Sequence, residues 1–230
     1  NELHITQRAT FNGGDVIGES LKLRGALVFF QGTDFNCTLD VVVGQIKFSG
    51  GTFDQKGTFE QNGGASGWGE GGCVFNDSVT IKCSGATYLR MGQNSGDIFN
   101  GPATFISTGV YSIQIAYGDT SFFNDNVFIN CTGNGGLSFC SGSNAAAIIA
   151  PGKKITAGSS GLTAGVIHIK GIVQSDTTSQ SIVSTGTSTL NISSSYFTGN
   201  STFSAPSILV KYSTFHGNSS FTKTGNATNQ

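Results

Sequence analysis

Two aspartates hold matching places in a repeated phrase. "VFNDSVTIKCSG" carries Asp77 and "FFNDNVFINCTG" carries Asp125, 48 residues later. Paired carboxylates are the machinery of glycoside cleavage, one as acid and the other as base. If each repeat unit adds one strand spacing of ~4.8 Å, the two lie about 10 Å apart, near the separation of an inverting pair. Gly101 stands between them and would leave a shallow acidic groove. The bland alternative is a solvated turn. Arg90, Lys82 and Lys170 share no phrase with the aspartates and do not complete a catalytic set.

Trp68 is the sole tryptophan and sits in a Gly-rich stretch, "QNGGASGWGEGG" (61–72). It either protrudes and stacks on a sugar ring or folds back over the body. His4, His168 and His216 share no ligand spacing, so no metal site is expected. The five cysteines are odd in number and contain no CxxC pair. They read as small apolar core residues rather than a disulfide framework. "TAGSSG" is followed by no helix pattern, which removes the phosphate-loop reading. No cofactor is implied.

These residues are positioned by a repeat. Phe75, Phe99 and Phe123 recur every 24 residues, each followed by an asparagine: Asn76, Asn100, Asn124. Val79, Ala103 and Val127 come next, then Ile81, Phe105 and Ile129, with Thr80, Thr104 and Phe128 between them. Alternation of this kind marks strands with one buried face. A glycine closes the segment at Gly85, Gly109 and Gly133, and a second strand follows with Leu89, Ile113 and Leu137. The opening phenylalanine also occurs at Phe11, Phe35, Phe53, Phe197 and Phe215. The interval of 74 between Phe123 and Phe197 accommodates about three further units with the Phe replaced. Candidate strands there are 146–150, 165–173 and 181–186.

Periods of 18–24 residues with two or three short strands mean a solenoid, in which stacked units bury what one unit cannot. The leucine-rich frame is missing, and propeller blades need about 40 residues. The fold class is therefore all-β: a right-handed parallel β-helix of about ten coils. Like side chains stack on like, giving a Phe column, an Ile/Val column and an Asn ladder. Stacked like charges repel, which matches a charged fraction of only 11%. The 34 glycines among 230 residues suit tight turns. A net charge of −1 without a basic stripe argues against nucleic acid. No apolar run of membrane-spanning length occurs.

Residues 34–63 align without gaps on 196–225 at an offset of 162. The expectation is a single β-helical segment over 1–230, cut from a longer repetitive chain whose second superrepeat begins near 196. "GNGGLSF", "PGKKITAGSSGLTAG" and "STLNISSSYFTGNSTFSAPSILV" resemble very large, repetitive surface proteins of Bacteroidetes, similar in style to filamentous-haemagglutinin-like adhesins. The resemblance runs from about Phe35 to the end and carries no catalytic motif. It implies an extracellular or cell-surface adhesin or stalk. The function expected is a non-catalytic structural or adhesive segment, partnered by further repeats, by copies of itself, or by glycans. Polysaccharide binding or cleavage is the second reading, with Trp68, Asp77 and Asp125 as contacts. Ice binding by outward Thr80 and Thr104 is a third, interrupted by Phe128.

Overall fold

The computed structural model describes residues 2–225. Among them there is no helix, and 25 β-strands wind into a parallel β-helix of about 11 turns. At ~4.8 Å per turn this is a rod about 50 Å long. Each turn visits three sheets in one order. In one turn Val74–Phe75 lies on the first sheet, Val79–Cys83 on the second and Leu89–Arg90 on the third. The next turn repeats this with Ile98–Phe99, Ala103–Ser107 and Ile113–Ile115. Neighbouring strands pair in parallel, residue on equivalent residue.

The inward positions form columns. On the first sheet Phe35, Phe53, Phe75, Phe99 and Phe123 stack face to face. Ring centroids along Phe53–Phe75–Phe99–Phe123 are 4.8, 4.9 and 4.8 Å apart, with planes within 8° of parallel. The ring separation equals the strand spacing, so backbone ladder and aromatic stack share one period. On the second sheet Val79–Ala103–Val127 and Ile81–Phe105–Ile129 form two further columns. On the third, Leu89, Ile113, Leu137, Ile167, Leu190 and Ile208 line up. All five cysteines are buried free thiols; Cys83 and Cys131 face each other's rungs across Ser107.

Two expectations need correction. Phe11 does not belong to the main phenylalanine column. Its strand partner is Phe30, which in turn pairs with Phe48, and these three rings stack on the third sheet at 5.8 and 5.7 Å. Phe35 is instead met by Val16. The reason is turn length. The first turns run as long strands, Asp15–Gln31 and Asp34–Ser49, that bend through all three sheets without loops. The 24-residue step back from Phe35 therefore overshoots by five residues. The interval from Phe123 to Phe197 holds three periods but only two replacements, Ile149 and Gln174. The candidate stretches 146–150, 165–173 and 181–186 serve different sheets: Ala147–Ile149 the first, Val166–Lys170 the third, Gln180–Val183 the second.

At the corner after the second sheet the chain must pass very close to its neighbours. A Cβ on Gly109 would sit 2.3 Å from the carbonyl oxygen of Gly85, and one on Gly133 2.3 Å from that of Gly109. Only glycine allows this approach, which explains the repeated Gly.

Removing one ring from the main column tests its weight. Phe99 is buried and stacked on both sides, so Phe99→Ala should destabilise by about 3–5 kcal/mol in denaturant unfolding. Phe122→Ala, one residue from the column but facing outward, should change stability by no more than about 0.5 kcal/mol.

Candidate functional site

The Asn column forms as a directional ladder. Asn124 Nδ2 donates to Asn100 Oδ1 at 2.8 Å, and Asn100 Nδ2 donates to Asn76 Oδ1 at 2.7 Å. Asn76 Nδ2 then donates to Asp54 Oδ1 at 2.7 Å. A carboxylate, which only accepts, thus terminates the run at its acceptor end. All three asparagines are exposed, at the corner following the first sheet.

Asp77 and Asp125 sit beside this ladder, two rungs apart. Asp77 Oδ1 accepts the N–H of Ser78, closing its own turn. Asp125 Oδ1 accepts the N–H of Asn126 at 2.7 Å and is ion-paired with Lys153 Nζ at 2.9 Å. Lys153 first, then the Asn126 N–H, hold its carboxyl below the usual carboxylate range. Asp77 is thus engaged in its own turn, and Asp125 in a turn and an ion pair. Trp68 lies elsewhere. The parallel bridge of Gly67 to Leu89 puts it on the third sheet, one rung before Arg90, with half of its surface (51%) exposed. His168 points outward from the same sheet, three rungs after Arg90. Burial, then the charge of Lys170, holds its imidazole below its ordinary pKa. Among the described residues no group of His, Cys, Asp or Glu has metal-site geometry.

Comparison with family models, curated proteins and solved structures finds no match. The chemistry available to this chain is therefore what its surfaces carry.

One surface feature escaped the repeat alignment. The residue before each inward column position points outward, and over the middle of the rod, between Thr52 and Thr214, it is apolar on every rung. Val74, Ile98, Phe122, Ile148, Val173 and Tyr196 pair in succession along the outside of the first sheet. Six consecutive rungs thus carry an apolar side chain where alternation calls for a polar one. Phe122 is 44% exposed and Tyr196 38%. On one flank run the Asn ladder beside the first three rungs and Ala150, Ser175 and Thr198 beside the last three. On the other stand small residues: Gly96, Thr120, Ala146 and Gly171. No ionisable side chain interrupts the stripe from Val74 to Tyr196. The second sheet is dressed differently. Its outer row reads Asp40, Thr58, Thr80, Thr104, Phe128, Thr156, and Lys82 and Glu60 pair across adjacent rungs at 3.1 Å. The signal was present in the sequence as the apolar residue preceding Phe75, Phe99, Phe123 and Phe197.

Behind the stripe lies a buried acid. Asp97 is fully enclosed; Oδ1 accepts the Cys73 N–H at 3.0 Å, while Oδ2 has no partner. Burial raises its pKa to about 7, against the opposing pull of the Cys73 N–H. In the unfolded chain its pKa is that of an ordinary aspartate, ~3.9. The folded state therefore keeps a proton that the unfolded chain releases. This contribution is fully present below pH ~4 and is lost as pH rises to about 7. Thermal unfolding should show a Tm that falls across that window, superimposed on the other groups, and Asp97→Asn should flatten the fall.

The ladder makes a second prediction. Asn100→Ala should cost about 1 kcal/mol in denaturant unfolding. Asn100→Asp should cost more, because it sets a carboxylate oxygen against Asn76 Oδ1 where an N–H had been. Equal costs for the two variants would show that the ladder does not contribute.

Proposed function

We propose that this chain is a non-catalytic structural and adhesive segment of a secreted or cell-surface filament, a stiff rod that presents one apolar face. The observation that carries the reading is the six-rung outer stripe from Val74 to Tyr196. An exposed contiguous apolar strip on a folded surface marks a contact face. Its partner of choice is a second copy. Two such stripes share one rise per rung, carry no charges to desolvate, and have small residues on one flank that let two sheets approach. The repeat style, similar to that of large bacterial surface adhesins, supports the same reading, as does an interior in which each residue is braced by its counterpart in the next turn. Continuation of the stack by further repeats belongs to the same proposal.

Sedimentation of the chain over a range of concentrations provides the test. The wild type should form dimers or larger side-by-side assemblies. Phe122→Ser with Tyr196→Ser, both outward and outside the core, should leave Tm nearly unchanged and shift the protein to monomer. A wild type that stays monomeric at the highest concentration reached, or assemblies indifferent to the double substitution, would overturn lateral packing through this face.

A further inference from the structure

The third sheet presents a surface of another kind. Its outer row places Trp68, Arg90, Gln114, Ser138 and His168 on five successive rungs. Over the rungs from Gln114 to His168 this row floors an open groove of about 600 Å³, with Arg90 one rung before it and hydrogen-bonded to Gln114. One wall is aromatic and apolar. Tyr88 and Tyr111 meet edge to face, centroids 5.0 Å apart, and Tyr111 is 43% exposed. Val166 extends this wall along the axis.

The charges in and beside the groove have one sign. The Arg90 guanidinium lies over the rings of Tyr88 and Tyr117, at 5.3 and 4.7 Å from their centroids. Its Nε donates to Gln114 Oε1 at 2.7 Å. Lys170 Nζ donates to the carbonyls of Gly142 and Ser141, at 3.1 and 3.3 Å. Among the described residues neither Arg90 nor Lys170 has a carboxylate partner. No aspartate or glutamate lines the groove. A cation held between two aromatic faces and a side-chain amide keeps its charge while losing part of its hydration, which favours an incoming anion.

We propose that this groove binds an anionic polysaccharide lying along the rod axis. A pyranose ring has an apolar face suited to Tyr111, and to Trp68 at the head of the row, and a rim of hydroxyls suited to Gln114 and the exposed Asn134. Its acidic substituents meet Arg90 and Lys170. The floor repeats one side chain per rung, so an extended polymer of repeating units finds a new contact every ~4.8 Å. A peptide adding itself as a strand would need free backbone groups; along this floor the strand backbones are already paired rung to rung. Two full positive charges are too few for the phosphate-dominated binding of a nucleic acid. The groove and the apolar stripe lie on different sheets, so this binding does not depend on side-by-side packing of the rods.

The test is calorimetric titration of the full chain with oligogalacturonate, oligoalginate and a sulfated oligogalactan, each beside an uncharged counterpart of the same length. At least one anionic oligomer should bind saturably, more weakly as salt rises. Its neutral counterpart should bind about tenfold less well, the loss of two exposed charge contacts. Lys170→Gln and Tyr111→Ala should each reduce affinity about fivefold, with Tm unchanged. Tyr111 and Lys170 are both surface residues, and neither substitution opens the core. The proposal is overturned if no anionic oligomer binds, if charged and neutral oligomers bind alike, or if binding ignores both substitutions. None of these outcomes bears on self-association, which is read separately by sedimentation.

Discussion

In this fold the packing partner of a side chain is its own counterpart one turn away, held at the strand spacing by the parallel ladder. Nearly every other property follows from that constraint. Aromatic rings stack flat because Phe75, Phe99 and Phe123 repeat at the distance at which rings touch. Amides form a ladder because an Asn offers one donor and one acceptor along the axis, and the run stops where Asp54 has only acceptors to give. Charges are few, and Glu60 and Lys82 on adjacent rungs of the second sheet are opposite in sign, whereas the like pair Asp15 and Asp34 stands at the exposed start of the rod. A column of aspartates would have no such solution.

The stack also tolerates interruption, and the repairs show what the ladder requires. Gln174 replaces a phenylalanine in the main column and is fully buried; its Nε2 reaches Asp176 and the Thr178 carbonyl. In the second sheet the strand Ile155–Leu162 bulges, and the Asn130 side chain accepts the displaced Ser160 N–H at 2.9 Å. One turn later the Gln180 amide takes the place of a backbone pair, accepting from Ile155 N–H at 2.9 Å and donating to the Lys153 carbonyl at 3.0 Å. At Asn130 and Gln180 the break in the backbone ladder is spanned by a side-chain amide, the side-chain group that mimics a peptide unit by offering both N–H and C=O, while elsewhere the Asp97 carboxylate and the Ser121 and Ser195 hydroxyls accept the freed N–H.

What the sequence revealed and what it concealed both trace to turn length. Phe75, Phe99 and Phe123 were legible because the two turns that separate them have identical lengths, so the alignment needs no gap. Phe11 was misplaced because the opening turns are shorter and lack corners, while a ring happened to stand at the expected count. Ile149 and Gln174 were hidden twice over, by longer turns and by loss of the Phe. Among the candidate site residues, the Asn ladder was readable from its period alone. The positions of Asp77 and Asp125 in the repeat were readable too, but not their contacts, because Lys153 lies on a later turn and only the folded register brings it to Asp125. The apolar stripe went unread for a different reason. Outward positions are the ones that alternation treats as unconstrained, so their regularity carried no weight beside that of the core.

That asymmetry between inward and outward positions locates function on the rod. Inward residues answer to the column and are nearly all apolar: mostly Phe on the first sheet, aliphatic residues and Phe on the second and third. Outward residues answer only to solvent and to whatever the rod touches. Here they differ by sheet: an apolar row on the first, threonines and opposed charges on the second, amides, hydroxyls, aromatics and unpaired cations on the third. Solvation alone favours polar residues on all three surfaces equally, and it does not sort them by sheet over five or six consecutive rungs. The two contacts proposed above, one on the first sheet and one on the third, would supply such a sorting. The core of a β-helix sets how far its side chains can be repeated along the axis, and the outward rows set the chemistry that is repeated. A stiff rod with chemically distinct sides can engage two partners at once without moving any part of itself.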